Sequence, residues 1–253
     1  MFGKLLKYEF KAVGHWYLAL YGLSIIASIL LGFWLKHINA GNLEASASIL
    51  PAIVTILTFV GFGVLIASLG LSTLFLVIRR FRENIYGRQG YLTMTLPATT
   101  HQILLSKLTA AAAWNFLAAV TILITISLIS FILDPTIFQR LDLTEFLNNL
   151  PFTTTPLYLL SVLIEFINSI LLIYLAIAIG HMAEDRRVLL SFVAYFLIHG
   201  LLATIELSIL GRLLQNINDI NLYFGINIIF QLLIGFIAYF STHYLIKYKL
   251  NIQ

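Results

Sequence analysis

Residues 108–133 read LTAAAAWNFLAAVTILITISLISFIL, an apolar run with no Asp, Glu, Lys or Arg in it. A helix needs about 20 apolar residues to cross the hydrocarbon core of a bilayer. This run is long enough, and it is not alone. Comparable runs cover about 17–35, 52–78, 157–180, 188–210 and 222–246. Of these, only the fourth and fifth spans in chain order carry a charge, Glu165 and Glu206. Backbone left unpaired is intolerable in lipid, so each span is expected to be an α-helix. A β-barrel would instead alternate apolar and polar residues in strands of about ten.

Composition agrees. Hydrophobic residues make up 60% of the 253-residue chain and charged residues 10%, whereas soluble chains average about 45–50% apolar and about 25% charged. So small a polar share does not cover a water-facing globule. The chain has no cysteine, which rules out disulfides, thiol chemistry and thiolate-held metals. Lys4, Lys7 and Lys11 precede the first apolar run as a signal peptide's basic region would. That run is too long for a signal h-region, so it reads as a retained span.

Sidedness follows from the basic residues. With the N-terminus inside, the inner segments hold Lys4, Lys7, Lys11, Arg79, Arg80, Arg82, Arg88, Lys107, Arg186, Arg187, Lys247 and Lys249. The outer segments hold Lys36, Arg140 and Arg212. Twelve against three is a strong positive-inside bias, so both termini are expected in the cytoplasm and the protein in the cell (plasma) membrane. The net charge of +4 is spread by topology rather than gathered in one patch, so nucleic acid is not an expected partner; membrane lipid is.

Segment 2–17 reads as an amphipathic helix. Lys4, Lys7 and Lys11 share one narrow face, with Phe2, Leu6, Phe10, Val13 and Tyr17 opposite. Such a helix rests in the membrane interface, its lysines toward anionic headgroups. Glu9 falls on the apolar side. Either it is tolerated near a helix end, or it is paired with an arginine of the 79–88 segment.

The longest inner connection is 79–107. Arg79, Arg80, Arg82 and Glu83 read as a polar extension of the second helix, ended by Gly87 and Gly90. Thr99 with Gln102 forms a capping box for a helix running from Thr100 into the third span. Ala110 to Ala113 suit close helix packing. Of the outer connections only 134–156 is long, with a short surface helix expected over 141–149. The chain holds no G-x-x-x-x-G-K-[ST] phosphate loop, and no inner segment has the size of a nucleotide-binding domain.

The run Gly90-Tyr-Leu-Thr-Met-Thr-Leu-Pro97, followed by Ile103-Leu-Leu-Ser-Lys107, resembles the corresponding loop of ABC-2-type permeases of Gram-positive bacteria. The opening Met1-Phe-Gly-Lys-Leu-Leu-Lys-Tyr-Glu-Phe10 is similar to theirs as well. Gln89 departs from the pattern, standing where an acidic residue is expected. The resemblance implies one all-α transmembrane domain over 1–253, with an interfacial helix at 1–16, six spans and a coupling loop at 79–107. It implies a non-enzymatic permease subunit of an ATP-driven exporter, paired with a second copy or paralogue and with two ATP-binding subunits. ATP and magnesium belong to those partners; no cofactor is expected on this chain. The coupling contacts implied are Glu83, Arg88, Tyr91, Leu92, Thr93, Met94, Thr95 and Leu96. Permeases of this type export peptides, lipids, antibiotics or glycans; the cargo expected here is a hydrophobic or amphipathic peptide, as in toxin export, immunity or antimicrobial resistance.

Polar residues within spans are the remaining candidates, because burying them in lipid is costly. Ser161, Glu165, Asn168 and Ser169 form a stripe on the fourth span; Ser191, Tyr195, His199 and Glu206 form one on the fifth; Asn227 and Gln231 are one turn apart on the sixth. They are read either as glue between helices or as the lining of a path. Glu165, Asn168, Tyr195, His199 and Glu206 are the path candidates, with Glu165 the recogniser of a cationic group on cargo. Three rival functions stand beside the permease. One is an ion-coupled transporter relaying protons through Glu165 and His199. Another is a metalloprotease using Glu165, His181, His199 and Glu206, although H-E-x-x-H is missing. The third is a membrane anchor or sensor subunit.

Overall fold

The computed structural model of the protein describes residues 2–40, 49–95, 97–136, 151, 154–183, 185–216 and 220–249. Among them every regular element is an α-helix: α1 Phe2–Ala40, α2 Ile49–Ile85, α3 Arg88–Thr95, α4 Thr100–Leu133, α5 Thr154–Gly180, α6 Arg187–Asn216 and α7 Ile220–Tyr248. All but α3 contain a stretch long and apolar enough to cross a membrane. The protein is therefore an all-α, six-span chain, as expected. The helix expected over 141–149 lies outside the described residues.

Two boundaries differ in kind from the sequence reading. Segment 2–17 is helical but not a separate helix. It runs without interruption into the first span, because nothing between Phe2 and Ala40 breaks the backbone ladder. Gly90 does not end α2 either. The α2 ladder closes with the Tyr86 and Gly87 amides donating to the Arg82 carbonyl at 2.9 and 3.0 Å. Gly90 then lies inside α3, where a Cβ would collide with the Ile85 carbonyl oxygen. Its missing side chain lets α3 fold back tightly on the end of α2.

Three local signals hold. α2 extends through Arg79, Arg80, Arg82 and Glu83 to Ile85. The Thr99 hydroxyl accepts from the Gln102 amide at 3.3 Å, so α4 starts at Thr100 with the capping contact the sequence announces. Pro156 is tolerated because it falls in the first turn of α5. The α5–α6 turn is tight. The His181 amide donates to the Ile177 carbonyl at 3.1 Å, and Arg186 takes a left-handed backbone at φ 52°.

The chain divides into two compact units. One comprises residues 10–76 and 113–149. Its core is aromatic: Tyr17, Tyr21 and Trp114 pack with Leu69 and Ala118. Tyr17 stacks on Trp114 at 4.6 Å, and the Tyr21 hydroxyl donates to the Trp114 carbonyl at 2.7 Å. Lipid offers no hydrophobic drive between helices, so close packing and hydrogen bonds carry association. Gly14 accordingly faces the Trp114 ring and Gly32 faces Ile132.

The other unit comprises residues 1–9, 77–112 and 150–253. Here α5 is enclosed, with every residue from Ile170 to Ala178 buried. Phe81 stacks on Tyr174 at 3.8 Å, and the Tyr174 hydroxyl donates to the Lys107 carbonyl at 3.2 Å. Ala110 and Ala111 are buried, as their small size suits. Within this unit, contacts gather the start of α1, the ends of α2, α5 and α7, and the start of α4.

Candidate functional site

The connection between α2 and α4 is built on a buried charge cluster. Glu9 of α1 accepts from Lys107 Nζ at 2.7 Å and from Arg80 Nε at 3.1 Å. Of the two readings of Glu9, the ion pair is the one found, with Arg80 from the expected segment. Lys107 is the partner the sequence reading missed. Its only signal is that it is the one Lys or Arg between Arg88 and the third span. The Asn84 amide completes the cluster. With its oxygen toward Arg80 Nε (3.3 Å) and Lys107 Nζ (2.9 Å), its nitrogen donates to Gln89 Oε1 at 2.6 Å. The opposite orientation turns the nitrogen toward both cations, so this one is electrostatically preferred. Gln89 thus receives a hydrogen bond that ties the start of α3 to α2.

α3 stands on this base. Tyr91 and Leu92 are each 67% exposed. The hydroxyls of Thr93 and Thr95 donate to their own helix, at Gln89 O and Leu92 O, both 2.9 Å. Glu83 is exposed and paired with Arg79 at 2.8 Å. The side chains of Arg88 and Met94, and all of Leu96, lie outside the described residues.

Beside α3, at the end of α2 and the α5–α6 turn, lies a cavity of about 530 Å³ lined by Arg82, Tyr86, His181, Arg186 and Arg187 among others. The Tyr86 and His181 rings stack at 4.3 Å. Burial raises the Tyr86 phenol above its ordinary range. Burial also holds His181 below the usual histidine range; the positive charges of Arg187 and Arg82 push the same way, against the Ile177 carbonyl that its Nδ1 contacts at 2.8 Å.

A second, largely apolar cavity of about 840 Å³ is lined by His101, Leu175, Ile179, Ile198, His243 and Tyr244 among others. The His101 and His243 rings stack at 3.7 Å, and His101 Nδ1 lies 2.9 Å from the Tyr239 hydroxyl. Sequence reading passed over this pair, whose members are 142 residues apart in helices that meet only in three dimensions.

The polar residues of the spans do not form one site. Asn168 is buried and donates to both the Gln231 carbonyl (2.7 Å) and Gln231 Oε1 (3.0 Å). Its own oxygen sits against Gly235. Tyr195 and His199 are half-buried, their rings 4.6 Å apart, and His199 Nε2 is buried with no hydrogen-bond partner among the described residues. Glu206 accepts from Asn227 at 3.4 Å. Glu165 is exposed on α5 and has no hydrogen bond or ion pair among the described residues. Nor do Glu165, His181, His199 and Glu206 gather as a three-ligand metal group among those residues.

No protein-family model matches the chain, and neither a curated protein nor a solved structure matches it.

Proposed function

We propose that the chain is the membrane-spanning permease subunit of an ATP-driven exporter of the ABC-2 type. It would reside in the plasma membrane with both termini in the cytoplasm. The observation that carries the reading is α3, a short helix between the second and third spans that holds Tyr91 and Leu92 out to solvent. Two exposed apolar side chains on an eight-residue helix, anchored below by Gly90 and the Glu9 cluster, are suited to a partner's groove. An anchored helix also transmits a push, which a flexible loop does not.

The same end of the molecule supports the orientation. Arg80, Lys107, Arg82, Arg186 and Arg187 gather there, as a cytoplasmic face requires. The largely apolar cavity that His101 and His243 help to line supports a hydrophobic or amphipathic cargo, such as a peptide taken from the inner leaflet. ATP hydrolysis falls to a partner subunit, two copies per complex, with a second permease chain completing the path.

The test is replacement of Tyr91 to Leu96 by a glycine-serine linker, with the chain co-expressed with its ATP-binding subunit. Normal membrane insertion with loss of ATPase co-purification is expected. Undiminished co-purification would remove α3 from the mechanism. One observation favours a second reading, ion-coupled transport: the buried Nε2 of His199, which has no hydrogen-bond partner among the described residues. Transport by the reconstituted chain, driven by a proton gradient without ATP, would establish it in place of the first.

A further inference from the structure

We propose that the cavity between the end of α2 and the α5–α6 turn is a binding site for a phosphate group, and that its occupant is the headgroup of an anionic phospholipid. The inference stands apart from the permease reading, because it rests on the cavity alone.

Three guanidiniums line the cavity: Arg82 from α2, Arg186 from the turn and Arg187 at the start of α6. Two carboxylates also line it, Glu83 and Asp185. Glu83 is already taken by Arg79 at 2.8 Å, which leaves the guanidiniums in excess. Arg187 donates through Nε to the Ala183 carbonyl at 3.0 Å, so its fork is held in place rather than free in solvent. Planar guanidinium groups are well matched to phosphate oxygens. The lining also includes Arg187, Val188 and Leu189, the first turn of the 30-residue helix α6. The unpaired backbone amides of a first turn and the helix dipole both favour an anion.

A second, independent observation points to a ligand. Tyr86 lines the cavity, is only 4% exposed, and its hydroxyl has no hydrogen-bond partner among the described residues. A buried hydroxyl left without a partner costs about 1–3 kcal/mol. A phosphate oxygen drawn in from the cavity against the Tyr86 ring would accept its proton once a small side-chain shift opened the hydroxyl to it. His181, stacked on Tyr86, walls the same side.

The position selects the source of the phosphate. The candidate spans of α2 and α5 end at Ile85 and Gly180, and that of α6 begins at Arg187. The cavity therefore lies where three spans leave the hydrocarbon, at headgroup depth. Basic pockets between helix ends at that depth are where anionic headgroups bind.

The test uses the full-length chain in detergent micelles. Lipid retained per protein is read by native mass spectrometry, with phosphatidylglycerol and phosphatidylcholine titrated separately. A parallel arm adds inorganic phosphate and follows the thermal midpoint. Phosphatidylglycerol should be retained in preference to phosphatidylcholine. Arg186→Gly should reduce that preference about fivefold, the effect of one interfacial cation. The backbone at Arg186 already has φ 52°, which glycine adopts freely, so this variant should fold. Tyr86→Phe, which keeps the ring stack, should reduce it about two- to tenfold. Lys249→Gln, at the same end of the molecule, should leave it unchanged. If inorganic phosphate raises the midpoint, the two variants abolish that rise, and the two lipids are retained alike, phosphate recognition stands and the lipid source falls. Equal lipid retention with no response to phosphate overturns the site. So does a phosphatidylglycerol preference that survives both variants.

Discussion

Lys107 Nζ lies 2.7 Å from Glu9 Oε1, across 98 residues of sequence, with the lysine side chain 4% exposed and the glutamate 13%. The pair joins the first turns of α1 to the start of α4. Arg80 approaches the same carboxylate, so one acid serves two bases. Removing the acid leaves a buried lysine beside a partly exposed arginine without their shared counter-charge, the costly half of a buried pair.

Glu9→Gln should therefore destabilise the protein by about 3–5 kcal/mol, the range for breaking a buried ion pair. Glu9→Gln combined with Lys107→Met should recover a substantial part of this, because the stranded ammonium is gone. Thermal unfolding of the detergent-solubilised single and double variants measures the coupling. Additive losses would mean that the two residues do not depend on each other.

Asn168 and Gly235 should be coupled in a similar way. Each interhelical hydrogen bond from Asn168 contributes about 0.6 kcal/mol in a membrane setting, so Asn168→Ala should cost about 1–2 kcal/mol. Gly235→Ala drives a methyl into Asn168 Oδ1. Placed on the Asn168→Ala background, it should cost almost nothing further, since the obstructing atom is a removable side chain. A double-variant unfolding cycle reads the difference.

Gly180 offers the contrast. A Cβ there would meet Ser191 Oγ, and also the Ser191 amide nitrogen at 2.6 Å and the Arg187 carbonyl at 2.7 Å. The last two are backbone and cannot be trimmed. Gly180→Ala should cost about 2 kcal/mol or more, within the range for overpacking, and Ser191→Ala should not rescue it. Recovery in the double variant would show that the Ser191 hydroxyl, and not the backbone, is the obstacle.

His181 sets a pH dependence. Its folded-state pKa is lowered, chiefly by burial. The unfolded chain therefore binds the proton more readily. Stability is complete above the ordinary histidine value of about 6.5 and is lost as pH falls from there through the lowered folded value. The midpoint of thermal unfolding should drop as pH falls below about 6.5, and His181→Gln should flatten that drop. An unchanged slope in the variant would place the titrating group elsewhere.

Much of the fold is legible in the sequence because a bilayer makes the decisive property one-dimensional. Span length and the absence of charge can be counted along the chain, and lipid admits only helices for such runs. The bias of Lys and Arg, from which sidedness is expected, comes from the same count. Local chemistry is legible too: the Thr99 cap and the helical run through Arg79 to Glu83 depend only on near neighbours. The misfit of Glu9 on an apolar face admits a partner in the 79–88 segment as one of two readings, and the structure decides between them. Sequence did not supply Lys107, Gln231 as the partner of Asn168, the stacking of Tyr86 on His181, or that of His101 on His243. Each depends on the rotation and axial register of two helices distant in sequence, which hydropathy leaves free. Those are set by how side chains interlock, such as Gly90 against the end of α2 and Gly235 against Asn168. The six spans belong to the sequence. Which charges meet, which glycines must stay small, and where three arginines line one cavity were decided by packing alone, because only packing fixes the helices in register.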